Sequence, residues 1–310
     1  VLKNDFKPIY YDLCPISNNI LSIIKKKVSL KTKAIIYQHS FGRHDDISEI
    51  KKFCKIKNII LIEDKALCFL SKKKKLPELQ GDFAYYSFEN SKTISSRMGG
   101  MMIFSQDKKI NLIYKNNFYY NFLSDVRTFL SILTYNIRGD IGFAIRKIFV
   151  FFHILKKSID QQDLDIKFKN KIQYYNLTPF QKCLLIHQLK KLKRKYSICK
   201  KNVKFWSNLL PDLDIEVIQD YFFYYPVRLR YNGYHSHKIK EILKNMGLKQ
   251  DDWFEGGIGS RSFDKKKINF RLQNFKYTKK FCSNYTNLPT LINLSKNFKE
   301  EVKLKMNSKK

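Results

Sequence analysis

Three side chains of different chemistry follow apolar segments in the first third of the chain. Asp64 comes after Ile59–Ile62, Ser87 ends a second apolar segment, and Lys92 follows five residues later. A carboxylate, a hydroxyl and an amine on neighbouring strand ends can together hold a phosphorylated pyridine aldehyde. The amine condenses with the aldehyde as a Schiff base, the carboxylate pairs with the protonated ring nitrogen, and the hydroxyl donates to the phosphate. By spacing alone, the same residues also fit a strand-end cap and a solvated loop lysine.

The segments around these residues predict an α/β fold. Short apolar runs predict five strands, at residues 8–12, 33–39, 58–62, 83–88 and 100–104. Helical spacing predicts a helix over residues 45–55, with Asp45 or Asp46 as its N-cap. Apolar strands that alternate with helices are typical of a mostly parallel sheet covered on both faces. In such sheets ligands bind beyond the carboxyl ends of the strands, where Asp64 and Ser87 stand.

The remainder of the chain predicts mainly helices followed by a smaller α+β unit. Residues 118–157 carry two apolar helical stripes separated by a break, which predicts a helical hairpin. Thr178 and Pro179 begin a long helix that extends to about residue 209. A strand at 222–231, helices at 237–246 and 295–305, and a break at 287–289 complete the pattern. We therefore expect a large domain at residues 1–175, with the hairpin inserted in it, and a linking helix and small domain at 176–310.

The charge of the chain is strongly positive. Its 310 residues include 60 lysines and arginines against 27 acidic residues, for a net charge of +33. Such a chain is attracted to polyanions, although an AT-rich coding sequence gives the same composition. No motif of a nucleic-acid-binding fold is present, so no nucleic-acid partner is expected. The histidines and cysteines are scattered without ligand spacing, so we expect no metal site, free thiols and a cytoplasmic location.

Several sequence words occur in a fixed order along the chain. They are KAIIYQHSFG at 33–42, LIED at 61–64, GDFAYYSFENSK at 81–92, GG at 99–100, YNLTPFQ at 175–181, QLKKL at 188–192 and NLPT at 287–290. This ordered set resembles the DegT/DnrJ/EryC1/StrS family of sugar aminotransferases. The similarity extends from Phe6 to about Lys305.

The resemblance implies a fold type I enzyme that uses pyridoxal 5'-phosphate, usually as a homodimer with its active site at the subunit interface. Lys92 matches the Schiff-base lysine, Asp64 the partner of the pyridine nitrogen, and Ser87 a phosphate contact. The implied reaction is transfer of an amino group, with glutamate as the expected donor, to a nucleotide-linked keto-sugar for cell-envelope polysaccharide or lipopolysaccharide. The lysine would also move the proton between substrate and cofactor carbons.

The sequence departs from the family pattern in three places. Leu67 stands where the family has a glutamine that contacts the ring hydroxyl, and Tyr174 where it has an asparagine that reaches the phosphate across the dimer. A shifted alignment assigns that phosphate contact to Asn176. The N-terminal third of the family pattern is absent, so we expect the chain as given to be inactive alone.

Two alternatives stay open. The departures fit a catalytically degenerate relative with a binding or assembly role. A sugar dehydratase of the same family is the other alternative, although its known members replace the lysine with histidine and Lys92 is present here.

The hairpin at 118–157 also has two interpretations. Its apolar stripes, which include Phe122, Val126, Phe129, Leu130 and Leu133, can pack against the protein's own core or a second subunit. They can also lie in a membrane interface, with the surrounding lysines near anionic lipid. The second interpretation predicts a peripheral contact between this protein and the membrane.

Overall fold

The structure is a computed structural model. It describes residues 6–12, 20–39, 45–68, 78–89, 92–106, 118–137, 144–145, 147–149, 176–209, 224–228, 234–246, 270–279, 285–290 and 292–307.

A four-stranded, mostly parallel sheet forms the N-terminal part of the structure. Its strands are β1 (Ala34–Gln38), β2 (Ile60–Asp64), β3 (Phe83–Ser87) and β4 (Gly100–Phe104). They lie in sequence order, with β1, β2 and β3 parallel and β4 antiparallel to β3. Helix α1 (Ile20–Lys25) precedes β1, and helix α2 (Ser48–Lys57) makes the crossover from β1 to β2. The predicted α/β class and four of the five predicted strands are therefore confirmed.

The two faces of this sheet have different environments. On one face, β1 contributes Ile35 and Tyr37 to a core that also includes residues of α1 and α2. On the same face, Ala84 and Tyr86 of β3 pack against Leu185 from a helix much later in the chain. On the opposite face the exposed apolar side chains include Ile36, Ile60, Tyr85, Met102 and Phe104. Among the described residues, the prediction of a sheet covered on both faces is thus met on one face only.

Residues 8–12, predicted as the first of the five strands, do not form a strand. Their side chains, rather than a backbone ladder, fix this extended segment. Asp12 accepts backbone hydrogen bonds from Tyr277 and Thr278, each at 2.9 Å. Tyr10 packs edge-on against Phe270, with their ring centroids 5.3 Å apart. The segment therefore joins the N-terminal part of the chain to residues 270–279.

The start of helix α2 differs from the sequence prediction. Helix α2 begins at Ser48 with Ile47 as its N-cap residue, which makes no side-chain cap hydrogen bond. Asp45 is not the cap, because its carboxylate accepts a hydrogen bond from the Tyr37 hydroxyl at 2.9 Å. Asp46 instead accepts the backbone N–H of Ser48 at 2.9 Å, which forms a turn ahead of the helix.

The predicted long helix after Thr178 consists of two helices that follow helix α3 (Phe118–Asn136) in the chain. They are α4 (Pro179–Lys190) and α5 (Leu192–Leu209), separated at Lys191. Thr178 caps α4 as predicted, in a capping box in which its side chain accepts from Gln181 N and the Gln181 side chain accepts from Thr178 N. Sequence periodicity did not detect the break, since no proline or glycine marks it.

Helix α3 is the described arm of the predicted hairpin. It buries its polar face and exposes its apolar face. The buried side chains belong to Ser124, Thr128, Ser131 and Thr134. The exposed ones include Phe118, Tyr119, Phe122, Phe129 and Leu133. Its apolar stripe therefore does not pack into the described core. Most of the second predicted arm lies outside the described residues.

The C-terminal part contains a small α+β unit, as predicted. Strands β5 (Tyr224–Arg228) and β6 (Tyr285–Pro289) pair antiparallel, and helices α6 (Tyr234–Asn245) and α7 (Lys296–Asn307) accompany them. Their core is centred on Trp206, Leu243, Leu288 and Val302. Residues 287–289, expected to be a break, instead belong to β6. The predicted boundary between residues 175 and 176 lies beside undescribed residues, so the domain division stays a prediction.

The described residues contain no helix with enough length and apolar character to cross a membrane. They also contain no group of three potential metal ligands.

Asp82 joins the sheet to its crossover helix, so its loss should destabilise the fold. Its carboxylate accepts the buried backbone N–H of Leu61 at 2.8 Å and pairs with Lys51 of α2 at 2.7 Å. We expect Asp82→Ala to lower the free energy of unfolding by about 1–3 kcal/mol, because the Leu61 N–H loses its acceptor. Asp82→Asn keeps an acceptor and should cost less. Urea denaturation of the complete protein measures both changes.

The matched control is Glu49→Ala, which removes the carboxylate of an exposed ion pair with Lys52 on the same helix. Exposed pairs of this kind contribute little to stability, so this change should be almost silent. Equal effects of Asp82→Ala and Glu49→Ala would contradict the role given to Asp82.

Candidate active site

Asp64 lies at the centre of a row of three polar side chains across the sheet. The strand register places Gln38 of β1 beside Asp64 of β2, and Asp64 beside Tyr85 of β3. Gln38 Nε2 donates to Asp64 Oδ2 at 2.9 Å, and the backbone N–H of Ala66 donates to Oδ1 at 3.0 Å. These two hydrogen bonds fix the carboxylate on the less covered face of the sheet. Burial and the negative charge of Asp64 raise the pKa of Tyr85.

Ser87 ends β3 two residues after Tyr85 and therefore lies on the same face of the sheet as Asp64. Its partner across the antiparallel ladder is Gly100. The Ser87 hydroxyl accepts the backbone N–H of Glu89 at 3.4 Å, a long hydrogen bond at the beginning of the loop that carries Lys92. The hydroxyl is half-buried and retains a proton to donate.

Lys92 is half-buried in the loop between β3 and β4. Burial lowers the pKa of its ammonium, while the negative charges of Glu89 and Asp64 act in the opposite direction, and burial prevails. The influence of Asp64 places the two side chains within electrostatic reach of each other. A lowered pKa increases the fraction of neutral amine, which is the form that can attack an aldehyde.

Two polar side chains from α4 and α5 hold the backbone that follows Lys92. Gln188 Oε1 accepts the N–H of Ser95 at 3.2 Å, and Gln188 Nε2 donates to the Ser95 carbonyl at 2.6 Å. Lys195 Nζ donates to the Thr93 carbonyl at 2.9 Å and to Gln188 Oε1 at 3.0 Å. These contacts join residues about 100 positions apart in sequence, and they position the lysine loop against the two helices. In the sequence, Gln188 stood out only as part of a motif, and no pattern indicated the contact made by Lys195.

The turn before β4 depends on a glycine. Gly99 has a φ of +85°, a conformation that side-chain-bearing residues rarely adopt. A Cβ atom at this position would also clash with the end of the Leu177 side chain, which would have to move. The GG word of the sequence is therefore required where the lysine loop returns to the sheet.

A buried charged cluster lies on the opposite face of β2, behind Asp64. Glu63 Oε2 accepts from His39 Nε2 at 2.9 Å and pairs with Lys65 Nζ at 3.0 Å. Glu63 Oε1 accepts the backbone N–H groups of Gln80 and Gly81 at 2.7 and 2.8 Å. Since the N–H of Asp45 donates to His39 Nδ1, the proton of a neutral imidazole lies on Nε2.

The pKa of Glu63 reflects this surplus of donors. Burial raises the pKa, but the hydrogen bonds from His39, Gly81 and Lys65 outweigh burial and lower it to about 2. Glu63 is therefore an anion under physiological conditions. It ties the end of β1, the end of β2 and the segment before β3 into one unit. The sequence analysis did not identify this cluster.

Two further residues from the sequence analysis lie in the described chain. Asn176 is exposed and precedes Leu177, which contacts Gly99. Its phosphate contact stays a prediction. Leu67 is half-buried, three residues after Asp64. Tyr174 lies outside the described residues.

Residues 1–138 match the model of the DegT/DnrJ/EryC1/StrS aminotransferase family. The match covers 138 of the 310 residues. The resemblance inferred from the ordered sequence words is thus confirmed over the segment that contains Asp64, Ser87 and Lys92.

Curated relatives are similar over part of the same segment. The GDP-perosamine synthase of Escherichia coli O157:H7 is 38% identical over 91 residues, which are 29% of this chain and 25% of that protein. A dTDP-4-dehydro-2,3,6-trideoxy-D-glucose 4-aminotransferase of Saccharopolyspora spinosa is 30% identical over 103 residues, 33% of this chain and 27% of that protein. The chain therefore covers about a quarter of the length of these relatives.

Solved structures share the fold over nearly the whole chain. Helicobacter pylori PseC, an aminotransferase involved in the biosynthesis of pseudoaminic acid, has a TM-score of 0.62 at 16% identity, over 99% of this chain and 74% of that one. A DegT DnrJ EryC1 StrS aminotransferase from Brucella abortus has a TM-score of 0.59 at 15% identity, over 97% and 73%. The E. coli GDP-4-keto-6-deoxy-D-mannose-3-dehydratase with bound hydrated PLP has a TM-score of 0.52 at 22% identity, over 91% and 69%. The predicted fold type I architecture is confirmed.

The titration of Lys92 tests the electrostatics of the site. In the cofactor-free complete protein we expect Glu89→Gln and Asp64→Asn each to lower the pKa of Lys92, because each removes a negative charge that favours the ammonium form. The Glu89 change should have the larger effect. The measurement is the pH dependence of Lys92 acylation, followed by mass spectrometry of its peptide.

Glu49→Gln is the matched control, since its carboxylate pairs with an exposed lysine on α2. It should leave the Lys92 titration unchanged. An unchanged pKa in both Glu89→Gln and Asp64→Asn would show that these carboxylates do not act on the amine.

Proposed function

We propose that the complete protein is an enzyme that uses pyridoxal 5'-phosphate and transfers an amino group to a nucleotide-linked keto-sugar, with glutamate as the donor. The observation that carries the proposal is a carboxylate held in place on the sheet, Asp64, whose charge acts on the half-buried amine of Lys92, which has a lowered pKa. The family match over the same residues supports it. The names of the relatives and fold neighbours above support a sugar nucleotide as acceptor.

The chemistry of the site fits this cofactor. Pyridoxal phosphate, when bound, supplies an aldehyde for the amino group and a ring that withdraws electrons from the reacting carbon. Asp64 can hold a proton at the ring nitrogen, because Gln38 and Ala66 keep its two oxygens in place. Ser87 can donate its hydroxyl to the phosphate from the same face of the sheet.

Lys92 has two tasks in this proposal. Its amine, whose neutral form is favoured by burial, would hold the cofactor through the aldehyde as a nucleophile. The same side chain would also be able to give and take a proton as a general acid and base. Gln188 and Lys195 restrict the loop, so that the amine stays within reach of the Asp64 face.

The assembly and location of the enzyme form part of the same proposal. We infer a homodimer that acts in the cytoplasm, where sugar nucleotides are available. Asn176 is exposed and so can reach a phosphate bound in the partner subunit.

The two alternative functions, a sugar dehydratase and a degenerate relative, predict different assay results from an aminotransferase. A dehydratase would release a sugar that lacks one hydroxyl and contains no new nitrogen. A degenerate relative with a binding role would neither turn yellow with pyridoxal phosphate nor transfer nitrogen. Retention of Lys92 favours transfer over both alternatives. The known dehydratases of the family replace this lysine with histidine, and a binding role alone requires no amine at this position.

Borohydride labelling tests the assignment of Lys92. After incubation of the complete protein with pyridoxal phosphate and reduction, peptide mapping should find the pyridoxyl mass on Lys92. Lys92→Arg keeps the positive charge but should lose the label, since a guanidinium does not condense with the aldehyde. The control Lys51→Arg changes a lysine of α2 and should leave the label in place. A label on another lysine, or no label, would contradict the assignment.

Asp64→Asn tests the carboxylate. A neutral amide cannot keep the ring nitrogen protonated, and the loss of a charge-assisted hydrogen bond of about 1.5–3 kcal/mol corresponds to a loss of about 10–100-fold in rate or more. Transfer of ¹⁵N from glutamate to a panel of nucleotide-linked keto-sugars measures the rate, and circular dichroism checks the fold. Near-native turnover would show that another acid performs this role.

A further inference from the structure

The inward face of helix α3 is fixed by polar contacts. Gln181 Nε2 donates to Ser124 Oγ at 2.9 Å and to Thr128 Oγ1 at 3.1 Å. The Thr178 hydroxyl donates to the carboxylate of Asp125. Gln181 and Thr178 also form the capping box of α4. The residues that begin α4 therefore also hold α3. Rotation of α3 about its axis would break the hydrogen bonds that Gln181 and Thr178 make with it.

The outward face of α3 is apolar and aromatic as a consequence. At 100° per residue, its exposed members lie within a sector about 100° wide. The exposed fractions are 86% for Phe118, 71% for Tyr119, 59% for Phe122, 52% for Phe129 and 45% for Leu133. The helix contains only two charged residues, Asp125 and Arg127, and both are half-buried outside this sector. We call the five exposed residues the α3 apolar face.

The sequence on both sides of α3 is basic. Lys108, Lys109 and Lys115 precede the helix, and Arg138, Arg146 and Lys147 follow it, against two acidic residues in the same stretches. Lys147 is exposed, as is Ile148 beside it. Apolar aromatic residues flanked by cations are the pattern of helices that lie in the interface of anionic membranes.

We propose that the α3 apolar face docks on the surface of an anionic phospholipid bilayer, with α3 parallel to the membrane plane. Charge complementarity favours this occupant. The chain carries a net charge of +33 and the sequence on both sides of α3 is basic, so an anionic bilayer attracts it. The phenylalanines would enter the acyl boundary. The contact is independent of the proposed reaction.

Flotation with liposomes tests the proposal on the complete protein. The probes are vesicles of phosphatidylcholine alone and vesicles of phosphatidylcholine with one third phosphatidylglycerol. We expect the protein to float with the anionic vesicles at low salt, and with the neutral vesicles at least about tenfold less. High salt should reduce flotation, because it screens the attraction of the basic flanks.

The decisive variant replaces Phe122, Phe129 and Leu133 with serine. Its flotation with anionic vesicles should fall at least about tenfold, because the apolar part of the contact is lost. The matched control replaces Ile56 and Leu304, exposed by 80% and 70% on α2 and α7, with serine and should float like the wild type. Thermal unfolding should be unchanged in both variants, since all five side chains are exposed.

Several results would overturn the proposal. They are a wild-type protein that stays in the soluble fraction at low salt, a serine variant that floats as well as the wild type, and equal flotation with both vesicle types. A further contrary result would be a serine variant whose oligomeric state in solution without vesicles, measured by light scattering, differs from that of the wild type. That result would show that the α3 apolar face contacts a second copy of the chain. Amino transfer to a soluble substrate should be unaffected by the serine variant, so this proposal and the proposed function can fail separately.

Discussion

The buried carboxylate of Glu63 is the interaction on which the rest of the site depends. Side chains alternate along a strand, so Asp64 must lie on the opposite face from Glu63. Glu63 receives donors from His39, Lys65 and the segment before β3, and an unpaired charge at this depth would be costly. A shift of one residue in the register of β2 would bury Asp64 and expose Glu63. The cluster therefore determines which carboxylate is available for chemistry.

The same cluster sets a steric requirement at residue 81. A Cβ atom there would lie 2.7 Å from the Leu61 carbonyl oxygen and 3.2 Å from the Glu63 side chain. Only glycine allows the backbone to approach close enough to donate its N–H to Glu63. Lys65 adds a second constraint, because its ammonium is fully buried and donates to the Glu78 carbonyl at 2.6 Å. The segment before β3 is thus held by a charge on the face of β2 that takes no part in the proposed reaction.

Where the sequence predicted the position of a residue correctly, that position follows from the local sequence pattern. Asp64 and Ser87 were expected at strand ends, and the structure places them there on one face of the sheet. Gln38 and Tyr85 were not predicted as partners of Asp64, because their proximity depends on strand register. The contact of Lys195 with the loop of Lys92 spans about 100 residues, and no local pattern carries it. The roles of Asp64, Ser87 and Lys92 in binding or catalysis remain predictions.

Two errors in the fold prediction have physical causes of the same kind. Residues 8–12 have strand-like composition but are fixed by side-chain contacts with residues 270–279 instead of a ladder. Residues 287–289 looked like a break because proline cannot donate to a ladder. The two-stranded sheet accommodates Pro289, since it lies at the end of β6. In both cases a distant segment of the chain decided the local structure.

Helix α3 shows that a correct periodicity leaves the orientation of a helix open. The stripe of Phe122, Phe129 and Leu133 was correctly recognised as one face of a helix, but apolar periodicity does not say what covers that face. Ser124 and Thr128 form an equally regular polar stripe, and Gln181 of α4 offers this stripe hydrogen bonds that no apolar side chain could accept. A buried Gln181 amide without partners would be destabilising, and the polar stripe supplies those partners. The polar stripe therefore takes the inside position, and the apolar stripe remains for a surface other than the described core.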